Sequence, residues 1–209
     1  MYRRLVQLAY HLLYHQFAWT YDVVAWLVSG GLWRRWILAV LPALQGRVLE
    51  LGFGTGHAQL ALANRPAVAG LDASPQMAAI AAARLRRGGF QPRLVRGLAQ
   101  ALPFPAAAFD TVLATFPAEY ILDPATHDEI RRVLAPGGRL VIVPLAQLDD
   151  SPYAALVDLV YRLTLQASPR HATELAGSQL QIAGMRFTRR WVSVGGSRAL
   201  MLVGTTDGR

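Results

Sequence analysis

One short string constrains the fold of this chain more than any other: Val48-Leu49-Glu50-Leu51-Gly52-Phe53-Gly54-Thr55-Gly56. It is an apolar run that ends in an acid and breaks straight into alternating glycines. The run Arg47 to Leu51 has the length and apolarity of a buried parallel strand. The glycines then permit a tight turn and a close backbone approach to a ligand. His57 to Ala63 is apolar and alanine-rich and reads as a helix, so its first amides point back over the glycines. Two nucleotide-type readings of the turn fail on particular residues. A phosphate-gripping loop needs Gly-Lys-Ser/Thr, and the chain has no lysine. A dinucleotide turn needs a third glycine for close helix–strand packing, and counting from Gly52 that place holds His57. What remains is acid-x-Gly-x-Gly-x-Gly, a turn suited to a ligand without a pyrophosphate.

The string has companions at regular spacing. Val68-Ala69-Gly70-Leu71-Asp72 reads as a second strand, ending in an acid 22 residues after Glu50. A carboxylate there can accept hydrogen bonds from both hydroxyls of a ribose. Ser74-Pro75 starts a helix with a hydroxyl cap and a proline in the first turn. Leu102-Pro103-Phe104-Pro105 precedes Phe109-Asp110-Thr111-Val112, and Arg132-Val133-Leu134-Ala135-Pro136-Gly137-Gly138-Arg139-Leu140 leads into an apolar strand. With these strings, residues 46–145 resemble the class I S-adenosylmethionine (SAM)-dependent methyltransferases, in the small-molecule branch of the ubiquinone/menaquinone methyltransferases. The resemblance implies an α/β, Rossmann-like doubly wound fold. Its sheet would be seven-stranded and mostly parallel, with a C-terminal antiparallel hairpin and an N-terminal helical lid.

Along the chain, strands are expected near 47–51, 68–72, 92–95, 109–114 and 138–144, alternating with helices as a parallel sheet requires. Phe187 to Val194 and Arg198 to Val203 read as two strands joined by the Gly195-Gly196 turn. Residues 1–45 read as helices: Leu5, Leu8, Leu12 and Leu13 fall at helical spacing, and a second helix is expected from Leu32 to Leu44. Residues 151–183 are helical in composition. The 209 residues fit a single methyltransferase domain, with a helical lid (1–45), a SAM-binding core (46–145) and C-terminal helices and hairpin (146–209).

SAM is the cofactor that the resemblance implies, with S-adenosylhomocysteine (SAH) as product and no metal. Gly52, Gly54 and Gly56 would let its carboxypropyl chain approach, and Glu50 would face its amino end. Asp72, with Ala73 beside it, would take the ribose. Met77 would pack on the adenine, and Thr115 and Phe116 would border the methionine part. Relatives hold the adenine amino group with an acid before the Leu-Pro-Phe string; here the pair is Leu98-Ala99. The Ala99 amide can still donate to the ring, and one lost neutral-partner hydrogen bond costs about 0.5–1.5 kcal/mol. His57 is expected to point to solvent or to the SAM carboxylate.

Methyl transfer is an in-line displacement in which positioning supplies most of the acceleration. A base is needed only if the acceptor must lose a proton. Glu119 and Tyr120, after the fourth strand, are the candidates. They and Tyr14, Phe17 and Tyr21 of the aromatic N-terminal stripe would also line the acceptor site. His11 and His15 share a helix face but lack a third ligand.

The net charge of +8 comes entirely from arginine. Five Arg-Arg pairs are scattered over every segment, a pattern of solvated exterior more than of a nucleic-acid footprint. No cysteine is present, so thiol nucleophiles and cysteine-based zinc sites are excluded. The N-terminus lacks a signal-peptide layout, and no stretch of eighteen uncharged apolar residues exists. The expected setting is cytoplasmic, with peripheral contact to anionic membrane through Trp33, Arg34, Arg35 and Trp36. The expected activity is methyl transfer to a small, lipophilic acceptor. An RNA methyltransferase, a non-catalytic SAM-binding protein and a nicotinamide-dependent oxidoreductase are the rival readings.

Overall fold

The computed structural model of the protein describes residues 21–149, Tyr153 and 182–206. Helices α1 (Tyr21–Ser29) and α2 (Trp33–Ala39) lead into the sheet. The expected helix over 32–44 is shorter because Pro42 lacks an N–H and its ring opposes the preceding turn. The chain winds there into a single 3-10 turn, Leu41–Ala43. Strands and helices then alternate: β1 (Val48–Leu51), α3 (His57–Leu62), β2 (Val68–Asp72), α4 (Pro75–Arg87), β3 (Leu94–Arg96), β4 (Phe109–Thr115), α5 (Pro124–Val133), β5 (Leu134–Leu148), β6 (Arg186–Ser193) and β7 (Ser197–Thr205). The helices expected within residues 1–20 and 154–181 lie outside the described residues.

The seven strands form one sheet in the order β3-β2-β1-β4-β5-β7-β6. β1 to β5 pair in parallel, and β7 enters antiparallel between β5 and β6. This is the Rossmann-like sheet with its C-terminal hairpin. The strand order reverses between β1 and β4, so a crevice opens at their carboxyl ends. β5 outruns its expected span of 138–144 at both ends, because β4 already pairs with it at Phe109↔Leu134 and β7 continues to pair as far as Leu148↔Ser197.

Side chains alternate between two cores, as the pleat demands. Leu49, Leu51, Val112, Ala114, Leu140 and Ile142 face the layer that holds Ile130 and Val133 of α5. Val48, Leu113, Val141 and Val143 face Trp36, Ile37 and Val40 on the α2 side and Ala58 and Leu62 of α3. The Trp36 Nε1–H donates to Ser197 Oγ at 2.8 Å, fastening α2 to the hairpin. Ser74 caps α4 by accepting from the Met77 amide at 3.2 Å, with Pro75 behind it. No described helix is long and apolar enough to cross a membrane.

Candidate functional site

The glycine turn between β1 and α3 is held by a side chain from the next strand. The Gly54 amide donates to Asp72 Oδ2 at 2.8 Å, and the Ser74 amide donates to Asp72 Oδ1 at 2.8 Å. Burial raises the pKa of Asp72, and backbone bonds from Ser74, Gly54 and Ala73 oppose it. Each oxygen keeps lone-pair capacity toward the crevice, since a carboxylate offers about four acceptor sites.

The three glycines have different tasks. At Gly56, φ is +82° and a Cβ would lie 2.7 Å from the Ala81 Cβ, so this residue lets α4 pack on the turn. At Gly52 a Cβ would meet the Tyr120 hydroxyl at 2.7 Å. At Gly54, with φ of +51°, a Cβ would meet nothing within 4 Å, because it would project into open space. That space is a cavity of about 340 Å³ at the switch point, in the range of small-molecule sites.

Four loops line the cavity. Gly52 and Gly54 come from the end of β1, and Asp72, Ala73, Ser74 and Met77 from the end of β2. Leu98, Ala99 and Gln100 follow β3; Thr115, Phe116 and Tyr120 follow β4. Leu98 is 60% exposed, leaving an apolar side chain where relatives of this pattern carry an acid. Gln100, unremarked in the sequence, donates to Asp123 Oδ2 at 3.0 Å, which ties this wall to the start of α5.

Glu50 is buried and faces Gln59 of α3, whose Nε2 donates to it at 2.7 Å. It lines a second, smaller recess with Gly54, Thr55, His57 and Thr115. Burial pushes the Glu50 carboxyl up to about 8, the Gln59 bond opposes this, and the nearby Asp72 charge adds to it. Phe116 adopts φ of +47°, which is uncommon for a bulky residue and marks strain held at a cavity wall. Trp33 of α2 stacks on the Phe116 ring at 4.2 Å, and the Phe116 amide donates to the Val143 carbonyl at 2.7 Å.

The candidates for catalysis and acceptor binding separate. Tyr120 borders the cavity and donates its hydroxyl to the Leu51 carbonyl at 2.9 Å. Glu119 opens the 3-10 turn Glu119–Leu122, is exposed, and is outside the cavity lining. Tyr14, Phe17 and the side chain of Tyr21 lie outside the described residues, as do His11 and His15. No group of three or more potential metal-ligating side chains occurs among the described residues. His57 differs from expectation: its Nε2 lies 3.3 Å from Asp22 Oδ1 of α1. No local sequence pattern around Asp22 signals these partners.

Comparison with known proteins fits this geometry. Residues 48–138 match the family model described as a methyltransferase domain. A demethylmenaquinone methyltransferase of Thermus thermophilus is 35% identical over 162 residues, covering 74% of this chain and 72% of that protein. The chain belongs to the class I SAM-dependent methyltransferases. A phosphatidylethanolamine N-methyltransferase of Cereibacter sphaeroides is 38% identical over 126 residues, 59% of this chain and 62% of that protein. A SAM-dependent methyltransferase structure from Thermotoga maritima superposes with a TM-score of 0.60 at 22% identity, over 94% of this chain and 99% of that one, which speaks for the fold. The cofactor of a class I methyltransferase is SAM, and the donor set suits it: an open glycine for the chain, an acid at the end of β2 for the ribose, apolar walls for the base.

The different tasks of Gly54 and Gly56 predict different failures. Gly54→Ala should keep the thermal midpoint within a few degrees, with only the cost of a side chain at positive φ, on the order of 1–2 kcal/mol. It should nevertheless lose SAH binding by calorimetry. Gly56→Ala adds a clash with Ala81 and should lower the midpoint further. A folded Gly54→Ala protein with unchanged SAH affinity would contradict the location of the site.

Proposed function

We propose that this methyltransferase acts on a small, lipophilic acceptor taken up at a membrane surface. The observation that carries this reading is an exposed apolar face beside the cofactor turn. Val23, Trp26 and Leu27 of α1 are 55%, 61% and 52% exposed, at i, i+3 and i+4 on one helix face. Asp22, one residue away, is bonded to Thr55 of the glycine turn, so α1 abuts the turn whose Gly54 lines the cavity. Exposed Arg34 and Arg35 follow at the start of α2, but Trp33 and Trp36, expected on the same membrane-facing surface, turn inward: Trp36 is buried on Ser197 and Trp33 stacks on Phe116. An apolar helix face with neighbouring arginines suits the interface of an anionic bilayer. The names of the Thermus and Cereibacter relatives, a quinone and a phospholipid methyltransferase, agree with a lipophilic acceptor.

In this reading bound SAM supplies a methyl group on a cationic sulfur that is already a good leaving group. Asp72 would orient the ribose, Glu50 the amino end, and Met77, Leu98 and Ala99 the adenine. Thr115 and Phe116 would flank the methionine part and exclude water from it. The Tyr120 ring, its hydroxyl engaged by Leu51, would form the acceptor wall. Rate enhancement would come chiefly from near-attack positioning. Glu119 would serve as base only through a rearrangement of its 3-10 turn. The arginines offer little support for nucleic acid: Arg47, Arg84, Arg131 and Arg132 are each committed to an acid partner.

Two measurements test the reading. With methyl-labelled SAM and a total cell extract, label should appear in the fraction that partitions into organic solvent. Label in RNA, or none transferred while SAH binds, would contradict it. The protein should also co-sediment with anionic phosphatidylglycerol vesicles at low salt and be released by salt. Trp26→Asp should weaken that association severalfold, and no association of the wild type at low salt would remove the membrane surface from the account.

A further inference from the structure

Outside the cavity, a partly buried cluster of charged and polar side chains that the transfer reaction does not use borders the glycine turn. It joins three elements. Asp22, in the first turn of α1, accepts the Thr55 hydroxyl at 2.7 Å on Oδ1 and meets His57 Nε2 at 3.3 Å on the same oxygen. Its Oδ2 takes the Arg84 guanidinium of α4. The same guanidinium donates to the Thr55 carbonyl at 2.5 Å and to the Thr55 hydroxyl oxygen at 3.0 Å. Thr55 is 3% exposed and sits between Gly54, which opens on the cavity, and Gly56, which packs on α4.

We propose that Asp22 is a positioning residue that couples docking of α1 to the conformation of the SAM-binding turn, so that SAM or SAH binding and α1 docking reinforce one another. The Thr55 hydroxyl donates to Asp22 and accepts from Arg84, and the Thr55 carbonyl accepts from Arg84, which fixes the peptide units on both sides of Thr55. The residue directly before Thr55 is Gly54, whose amide reaches Asp72. Among the described residues, little apolar burial holds α1. Of its described side chains only Ala25 and Ser29 are buried, and Val23, Trp26 and Leu27 are exposed. A helix with so little buried surface depends heavily on its few polar ties. Burial would raise the Asp22 pKa, but the bonds from His57, Thr55 and Arg84 and the Arg84 charge outweigh it and hold the carboxyl far below its ordinary range. The tie is therefore an ion pair at any physiological pH.

Thermodynamic linkage makes the coupling reciprocal. Whatever α1 docking adds to cofactor affinity, bound cofactor adds to α1 docking. The inference rests on the placement of SAM over Gly54, and the test separates the two. Hydrogen exchange is followed for the peptide spanning residues 21–29, with and without SAH, alongside calorimetric titration. In the wild type, SAH should increase protection of that peptide. Asp22→Ala should weaken SAH binding on the order of tenfold and abolish the SAH-induced gain, while Asp22→Glu should restore part of both. Arg84→Ala should match Asp22→Ala in the exchange readout. A wild type whose 21–29 peptide is indifferent to SAH would overturn the coupling, as would an Asp22→Ala protein that keeps the SAH-induced gain. Absence of SAH binding by the wild type would overturn the cofactor site together with the coupling.

Discussion

The Asp72 carboxylate is the contact on which the site depends. In a turn with φ above zero at three glycines, the Gly52 amide reaches the Leu71 carbonyl and the Gly56 amide the Phe53 carbonyl, which leaves the Gly54 amide to a side chain. Asp72 takes the Gly54 amide on one oxygen and the Ser74 amide on the other. One side chain thus sets the turn after β1 and the entry to α4 together. Because its donors are backbone amides, it is held in place before any ligand arrives, and in the proposed reading it would meet the two hydroxyls of a ribose. Preorganisation of this kind limits the ordering cost of binding.

The surrounding structure protects that arrangement. The period-two alternation of β1 sends Leu49 and Leu51 to one core and Val48 and Glu50 to the other. Glu50 thereby meets Gln59 beneath the turn. Gly70, opposite Glu50 in β2, keeps room for Gln59, since a Cβ there would lie 2.9 Å from its amide. On the far wall, stacked Trp33 holds Phe116 in its strained backbone conformation. The elements before the sheet therefore reach the site twice, through Trp33 at the β4 loop and through Asp22 at the glycine turn.

How much of this was legible in the sequence follows from how local each signal is. The strand–glycine–helix corner, the acid at the end of β2 and the Ser74-Pro75 helix start are written within a few residues, and the structure has each where its spacing predicts. Most of the cavity wall, including Met77, Leu98, Ala99, Thr115 and Phe116, is reached by position relative to those strings. What was illegible is nonlocal. Asp22 is 62 residues from Arg84, and nothing in either neighbourhood names the other. The length of β5 depends on pairing with β7, and the Gln100–Asp123 bond on the packing of two loops. Gly52, Gly54 and Gly56 look alike in the sequence; only their neighbours in space distinguish two glycines crowded by Tyr120 and Ala81 from one with open space before it.

A crystal structure of the protein with SAH tests the central claim most directly. The account predicts the ribose hydroxyls within hydrogen-bonding distance of Asp72, about 2.5–3.0 Å, with the Gly54 and Ser74 amides still on its two oxygens and the homocysteine chain passing over Gly54. SAH bound with its ribose away from Asp72, or an Asp72 side chain that must leave Gly54 to admit it, would contradict the account.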